Sequence, residues 1–286
     1  MPIRLRDALS ETLEGWLEDI NPAWREIFAG VELGVDDVDA QLQLLPQEPI
    51  FPSRRDFSHL GAPHGAHIFR AFDDIEPGDV RCILLGQDPY PCMAFSTGRA
   101  FDIGSYACWR DLERMFTHSM RSLTQCVCAA RAARPELARS TGEWADTIAA
   151  IESSDIKLEA PPALAQTWVD QGVLLLNSSL TISRFAVTGD PHQTHGHTPL
   201  WRPFMIRLLQ HLMQERRDPP VIVLFGDVAK ATFGAAIEAA QMTASIQNSI
   251  VVTEHPAAGN EFLQRGNPLS ECNALLAARG EQTIAW

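Results

Sequence analysis

The chain has 286 residues and a formal charge of −13, from 23 Lys plus Arg against 36 Asp plus Glu. Hydrophobic residues make up 45% and charged residues 21%, the balance of an ordinary soluble globular protein with room for one large core. The acidic surplus argues against broad, nonspecific nucleic-acid binding while allowing a local basic groove.

The opening stretch MPIRLRDALSETLEGWLEDI mixes acids and bases, unlike a signal peptide. No segment reaches the roughly 18 apolar residues of a membrane span, so the expectation is a soluble, cytoplasmic protein. Within residues 1–50, Leu13, Trp16, Leu17, Ile20, Trp24 and Ile27 recur at about helical intervals and predict a helical segment whose apolar face is core. Residues 51–65 are rich in Pro, Ser, Gly and His and read as a loop; Ile68 to Ala71 reads as a short helix. Arg81 to Leu85 is the first strong strand, continuously apolar after its first residue, as in a central parallel strand covered on both faces. The loop GQDPYP, residues 86–91, follows at once.

Residues 109–133 are long enough for one helix, broken near Pro135, and the mixed segment 134–160 reads as an insertion. Pro161 and Pro162 open a helix that Gly172 ends, and VLLL at 173–176 is the second strand. Trp201, Met205, Leu208 and Leu212 mark one helix face, with Pro203 expected in the first turn. VIVLF at 221–225 is the third strand, a turn at Gly226-Asp227 leads to a helix over 228–240, and IVVT at 250–253 is the fourth strand. Four short apolar strands separated by helices predict an α/β fold, a three-layer α/β/α sandwich around a mainly parallel four-stranded sheet, in one domain spanning 1–286. Six cysteines without a CxxC pair read as reduced, mostly buried thiols.

Binding residues in such sheets sit beyond the carboxyl ends of the strands. Three strands end in conspicuous polar groups: Gln87 and Asp88, Asn177, and His255. Asp88, held before a proline, has the chemistry to orient a water or stabilise developing positive charge; an Asx turn is the bland alternative. Asn177 offers a donor and an acceptor to a planar edge such as a nucleobase, or simply closes a strand end. His255 has the chemistry to donate to an oxygen that gains charge, or to serve as a structural hydrogen-bonding histidine. An acid, an amide and an imidazole on separate ends of one parallel sheet converge by topology.

These residues resemble those of the family 1 uracil-DNA glycosylases, in which the corresponding segments read GQDPYH, LLLN and HPSP. The matches are ILLGQDPY at 83–90, QGVLLLNSSLT at 171–181 and TEHP at 253–256, with further agreement in IFRAF at 68–72, VLFG at 223–226 and the tail ARGEQTIAW. The resemblance covers roughly residues 51–286 apart from the insertion, and it implies release of uracil from DNA in base excision repair. Asp88 is then the aspartate that orients the attacking water and stabilises the sugar cation, and His255 the imidazole that hydrogen-bonds O2 of the departing base. Gln87 lies in the loop that holds the base, and Tyr90 packs against C5 and excludes the thymine methyl. Asn177 reads the uracil edge. Phe101 stands at the family's spacing from Gly86 for the ring that stacks on the base, whereas Phe95 reads as a loop anchor. The expected partner is uracil-containing DNA, bound by a monomer, with no metal or other cofactor.

Two departures stand out. Pro91 replaces the family's histidine, which predicts a changed rate and local water arrangement. After His255-Pro256 the family's SPLS is replaced by AAGNEF, putting Gly259 where a leucine enters the vacated stack. Loss of that wedge predicts weaker extrusion from duplexes and a preference for single-stranded or unpaired uracil, unless Phe262 or Leu263 takes over. It also predicts insensitivity to Ugi, the phage inhibitor that encloses the leucine. The loop PHQTHGHTPLW at 191–201 offers His195 or His197 as a phosphate contact, the choice left open. Its three histidines suggest zinc only weakly, for lack of a fourth ligand. Arg121, Arg131, Arg134 and Arg139 form either a basic face to DNA or a solvated surface. The competing functions are a glycosylase for another damaged pyrimidine and a noncatalytic DNA-binding protein on the same fold.

Overall fold

The computed structural model describes residues 1–104, 106–113, 118–186, 189–241 and 244–286, apart from the side chains of residues 244, 245 and 247. The chain begins with β1 (Ile3–Arg4), α1 (Leu5–Thr12), the single-turn α2 (Pro22–Arg25) and β2 (Gln43–Leu44). The main strands are β3 (Cys82–Gly86), β4 (Val173–Asn177), β5 (Val221–Phe225) and β6 (Ile250–Thr253). Their companions are α3 (His118–Ala132), α4 (Trp144–Glu152), α5 (Pro161–Val169), α6 (Thr198–Gln210), α7 (Gly226–Ala240), α8 (Asn260–Leu263) and α9 (Pro268–Ala278). No helix among the described residues is long and apolar enough to cross a membrane.

The four main strands form one parallel sheet in the order β4-β3-β5-β6, flanked by helices as a three-layer α/β/α sandwich. Every residue of β3, β4 and β5 is buried, which is why CILLG, VLLLN and VIVLF lack polar alternation. At the edge, β6 alternates and exposes Val252. The chain leaves β3, forms β4 on one side, then returns past β3 to form β5 on the other. That reversal falls at β3, and the carboxyl end of the strand at such a switch point is where doubly wound sheets bind ligands.

One aromatic cluster joins the amino-terminal segment to α6: Phe28 stacks on Phe204 at 4.1 Å between ring centroids, with Trp16, Phe69 and Phe72 around them. The carboxyl terminus is tied to α5 by the edge-on contact of Trp286 with Trp168. All six cysteines are free, four of them buried.

The amino-terminal segment is less helical than its apolar spacing predicts. Gly15 and Pro22 interrupt it, leaving α1, a 3-10 turn at Trp16–Glu18 and α2, although Leu13, Ile20, Trp24 and Ile27 are all buried. The expected helix over 109–133 is also divided. Trp109–Glu113 forms a 3-10 turn, residues 114–117 lie outside the described residues, and α3 starts at His118. Pro203 lies within α6 rather than in its first turn, because the helical path begins earlier, with a π-type turn at Gln193–His197.

The segment 134–160 packs along α3: Leu137, Ala150 and Ile156 meet Cys128 and Ala129. Gln125 Nε2 donates to the carbonyls of Leu137 and Ser140 at 2.9 and 2.8 Å. Arg131 donates to Glu159 and to the Lys157 carbonyl, both at 2.7 Å, and Arg134 pairs with Glu136. Arg131 is therefore engaged by this segment, whereas the Arg134–Glu136 pair lies at the surface.

Candidate active site at the strand ends

The sheet register puts Gly86 opposite Asn177 and Phe225 opposite Thr253. The polar residues that follow these positions consequently emerge along one edge of the sheet. Ser178 N–H and Oγ–H both donate to the Gly86 carbonyl, at 3.1 and 2.8 Å, and Ser179 N–H donates to the Gln87 carbonyl at 3.0 Å. The turn carrying Asp88 is thus anchored to the end of β4. A methyl group on Gly86 would stand 2.8 Å from Asn177 Oδ1 and 3.4 Å from the Phe101 ring. Glycine is required there because the amide and the ring both close over the backbone.

Asp88 is half-buried, but its Oδ1 is enclosed and has no hydrogen-bond partner. Burial pushes its carboxyl up to about 6, against the lowering influence of the Gln87 and Gln193 side chains. Tyr90 packs against the core, and burial holds its phenol well above the usual range. Phe101 is buried with its ring centroid 4.7 Å from that of Phe225. Its φ of 57° is a left-handed conformation that a bulky residue adopts only where its surroundings enforce it. The enforcement comes from the Ser96–Ile103 bridge and from Ala100 N–H, which donates to the Leu175 carbonyl at 3.1 Å. Phe95 is stacked on Tyr106 at 5.0 Å.

His255 caps the turn after β6. Its Nδ1 accepts the Ala257 N–H at 3.2 Å, and burial lowers its pKa to about 4. The ring is therefore neutral at pH 7, and an occupied Nδ1 acceptor puts the one ring proton on Nε2. Gly226, with φ +82°, allows this placement, since a Cβ there would stand 2.8 Å from His255 Cβ. A continuous line of contacts then runs from Asn177 through Gly86, Phe101 and Phe225 to Gly226 and His255.

Of the two histidines offered for phosphate, His195 is exposed and His197 is fully buried. His197 is removed from that role by a directed hydrogen-bond chain. Trp201 Nε1 donates to Thr181 Oγ1 at 2.8 Å, so the Thr181 hydroxyl donates to His197 Nδ1 at 2.8 Å. His197 Nε2 then donates to Ser183 Oγ, and Ser183 to His192 Nδ1, both at 2.9 Å. Burial lowers the His197 pKa to about 3. Among the described residues, no group of three or more His, Cys, Asp or Glu is arranged to hold a metal. Between the histidines lies a residue that the sequence pattern passes over. Gln193 is buried, and neither polar atom of its amide has a hydrogen-bond partner.

The loop after His255 is fixed from outside the sheet. Gly259 has φ 60° and ψ −111°, a conformation that strains any side chain. Asn260 Oδ1 accepts from Thr141 N–H at 2.8 Å and from Thr141 Oγ1–H at 3.1 Å, so the segment 134–160 clamps this loop. Phe262 and Leu263 are buried, with Phe262 against Phe225. Neither is available as a substitute wedge, because withdrawing it would open the core.

No family model matches the chain. Curated relatives do. It is 27% identical over 229 residues to the uracil-DNA glycosylase of Streptococcus gordonii, covering 78% of this chain and 82% of that one. It is 28% identical over 228 residues to that of Pediococcus pentosaceus, covering 78% and 79%. By these matches the chain resembles the uracil-DNA glycosylases as a divergent relative. The fold agrees: the UNG crystal structure from Nitratifractor salsuginis superposes with a TM-score of 0.60 at 22% identity, covering 96% of this chain and 97% of that one. The mimivirus uracil-DNA glycosylase gives 0.55 at 16% identity, covering 96% and 92%. Around the strand ends, Arg184 pairs with Glu48, Lys230 with Asp227 and Arg265 with Glu254. A phosphate approaching any of these cations competes with a carboxylate.

Proposed function

We propose that the chain hydrolyses the N-glycosidic bond of uracil in DNA, releasing uracil and leaving an abasic site, the reaction that opens base excision repair. The observation that carries this reading is geometric: His255 Nδ1 accepts the Ala257 N–H, which leaves Nε2 as the ring's donor, on the same sheet edge as a carboxylate whose Oδ1 is enclosed and free.

The bond between N1 and C1′ breaks with its electron pair moving onto the base. His255 Nε2–H donates to O2 as charge builds there, and Asn177 pairs with the edge of the ring. Donation from a neutral imidazole stabilises the anion without first requiring a cation in a buried site. Asp88 stabilises the cationic sugar and accepts a proton from the water that adds to C1′. That proton balances the negative charge left on the departing uracil. The Phe101 ring supplies the stacking face for an extruded base, Tyr90 excludes a 5-methyl group, and the Gln87 loop holds the base from its side. Exposed His195, rather than buried His197, is the choice for a phosphate contact.

The loop at Gly259 favours unpaired substrates. No large apolar side chain projects from it to fill a vacated stack, and the acidic partners of the nearby cations weaken backbone binding. The test is release of base from matched single- and double-stranded oligonucleotides carrying uracil, thymine, hypoxanthine or 5-hydroxymethyluracil, without added metal and beside an Asp88→Asn control. Uracil release that is faster from single strands and lost in the control is expected. Absence of uracil release overturns the reading. Release of 5-hydroxymethyluracil in preference to uracil replaces it with a glycosylase for another pyrimidine.

A further inference from the structure

Two polar side chains in the candidate site have enclosed atoms without hydrogen-bond partners, and the Gln193 side chain lies close enough to Asp88 to favour its ionised form. Asp88 Oδ1 is one; the Gln193 amide is the other, with both Nε2 and Oε1 unpartnered and the residue only 6% exposed. Buried amides and carboxylates are nearly always hydrogen-bonded, and orphaned ones mark an ordered water or a bound ligand. Gln193 is also not adrift. Its N–H donates to the Asp190 carbonyl at 2.9 Å, and Asp190 Oδ1 accepts the His192 N–H at 2.9 Å, so a capped turn holds its position. The next turn is locked by buried His197.

We infer that Gln193 is a positioning residue for the attacking water, which sits between its amide and the Asp88 carboxylate. This deepens the glycosylase reading and rests on it. A water donating one hydrogen to Asp88 Oδ1 and the other to Gln193 Oε1 has both O–H bonds fixed, leaving an oxygen lone pair for C1′. As the C–O bond forms, the first hydrogen passes to Asp88 as a proton, and the second remains on the new sugar hydroxyl. Gln193 gains and loses nothing; it removes the rotational freedom that would otherwise misdirect the nucleophile. Gln193 also favours the ionised form of Asp88. The influences resolved on that carboxylate are burial and the Gln87 and Gln193 amides, with no charged group on any packed element contributing. Removing the Gln193 amide therefore shifts the carboxylate's titration upward.

Gln193→Met preserves length while deleting both polar atoms, and Gln193→Glu keeps an acceptor while adding charge. Single-turnover release of uracil from a single-stranded oligonucleotide, measured from pH 5 to 9, separates chemistry from binding. For Gln193→Met the expected result is a fall in maximal rate on the order of 10- to 100-fold, an unchanged oligonucleotide concentration at half-saturation, and an acid limb moved to higher pH. Gln193→Glu should move that limb further up and recover part of the rate on its alkaline side. A normal maximal rate in Gln193→Met, or a reduced rate with the acid limb unmoved in both variants, overturns the inference. Should Gln193→Met fail to fold, the glutamate variant carries the same test. Failure of the wild-type chain to release uracil sinks the glycosylase reading instead, so the two failures are distinct.

Discussion

Asp88→Asn is expected to abolish activity while making the protein more stable, and the size of both effects follows from the site. Burial raises the Asp88 carboxyl from 3.8 to about 6. At about 1.4 kcal/mol per unit, that difference means the ionised side chain costs the folded state about 3 kcal/mol at neutral pH. The residue is half-buried, so solvent relaxation reduces the realised gain, and an increase in melting temperature on the order of 5 °C is expected. The sign is fixed by the direction of the shift. A raised carboxyl pKa gives a contribution to stability that is complete below pH 3.8 and is lost as pH rises through about 6. The advantage of Asp88→Asn should therefore be largest above pH 7 and vanish near pH 4. Loss of the base and of its charge should slow release by on the order of 10³-fold or more, and the wild-type rate should itself fall as pH drops through about 6. Thermal unfolding of both proteins across pH 4 to 8, paired with single-turnover release, checks all of this. A variant no more stable than wild type at pH 7.5, or an advantage that persists at pH 4, refutes the account of a carboxylate held charged against its surroundings.

Four further outcomes are expected. Tyr90→Ala should admit the 5-methyl group, so thymine release from a single-stranded oligonucleotide should become measurable above the wild-type background. Gly226→Ala places a methyl 2.8 Å from His255 Cβ at a φ of +82°, and the strain should cost on the order of 1–3 kcal/mol, read by chemical unfolding, with uracil release slowed as His255 shifts. His197, with a pKa near 3 against 6.5 for the free group, contributes stability that is complete above pH 6.5 and is lost as pH falls; a His197→Asn variant should show a shallower decline in melting temperature between pH 6.5 and 4.5. Ugi added in molar excess should leave uracil release intact, because Gly259 offers no side chain to enclose; stoichiometric inhibition would show that other surfaces suffice.

The sheet was legible because CILLG, VLLL, VIVLF and IVVT are continuous apolar runs that only strands buried on both faces, or nearly so, would carry. The polar groups at their ends were legible for the same reason: Asp88, Asn177 and His255 interrupt hydrophobicity where topology brings strand ends together. Gln193 was not, since a glutamine among histidines carries no local signal and its importance lies in what fails to bond with it. His197 misled because a titratable side chain looks the same in sequence whether it faces solvent or is wired at both nitrogens to buried hydroxyls. The amino-terminal spacing misled in another way. Burial of Leu13, Ile20, Trp24 and Ile27 records distance from the core, and a chain folded back through short turns can reproduce a helical interval without being a helix.

The clamp between Thr141 and Asn260 changes what the loop after His255 has to do when DNA arrives. A free loop would surrender its disorder at the moment of encounter and weaken binding by that amount. Held through Thr141 by the segment 134–160, this loop is a strut whose ordering is completed during folding, which lowers the entropic cost of any binding that uses it.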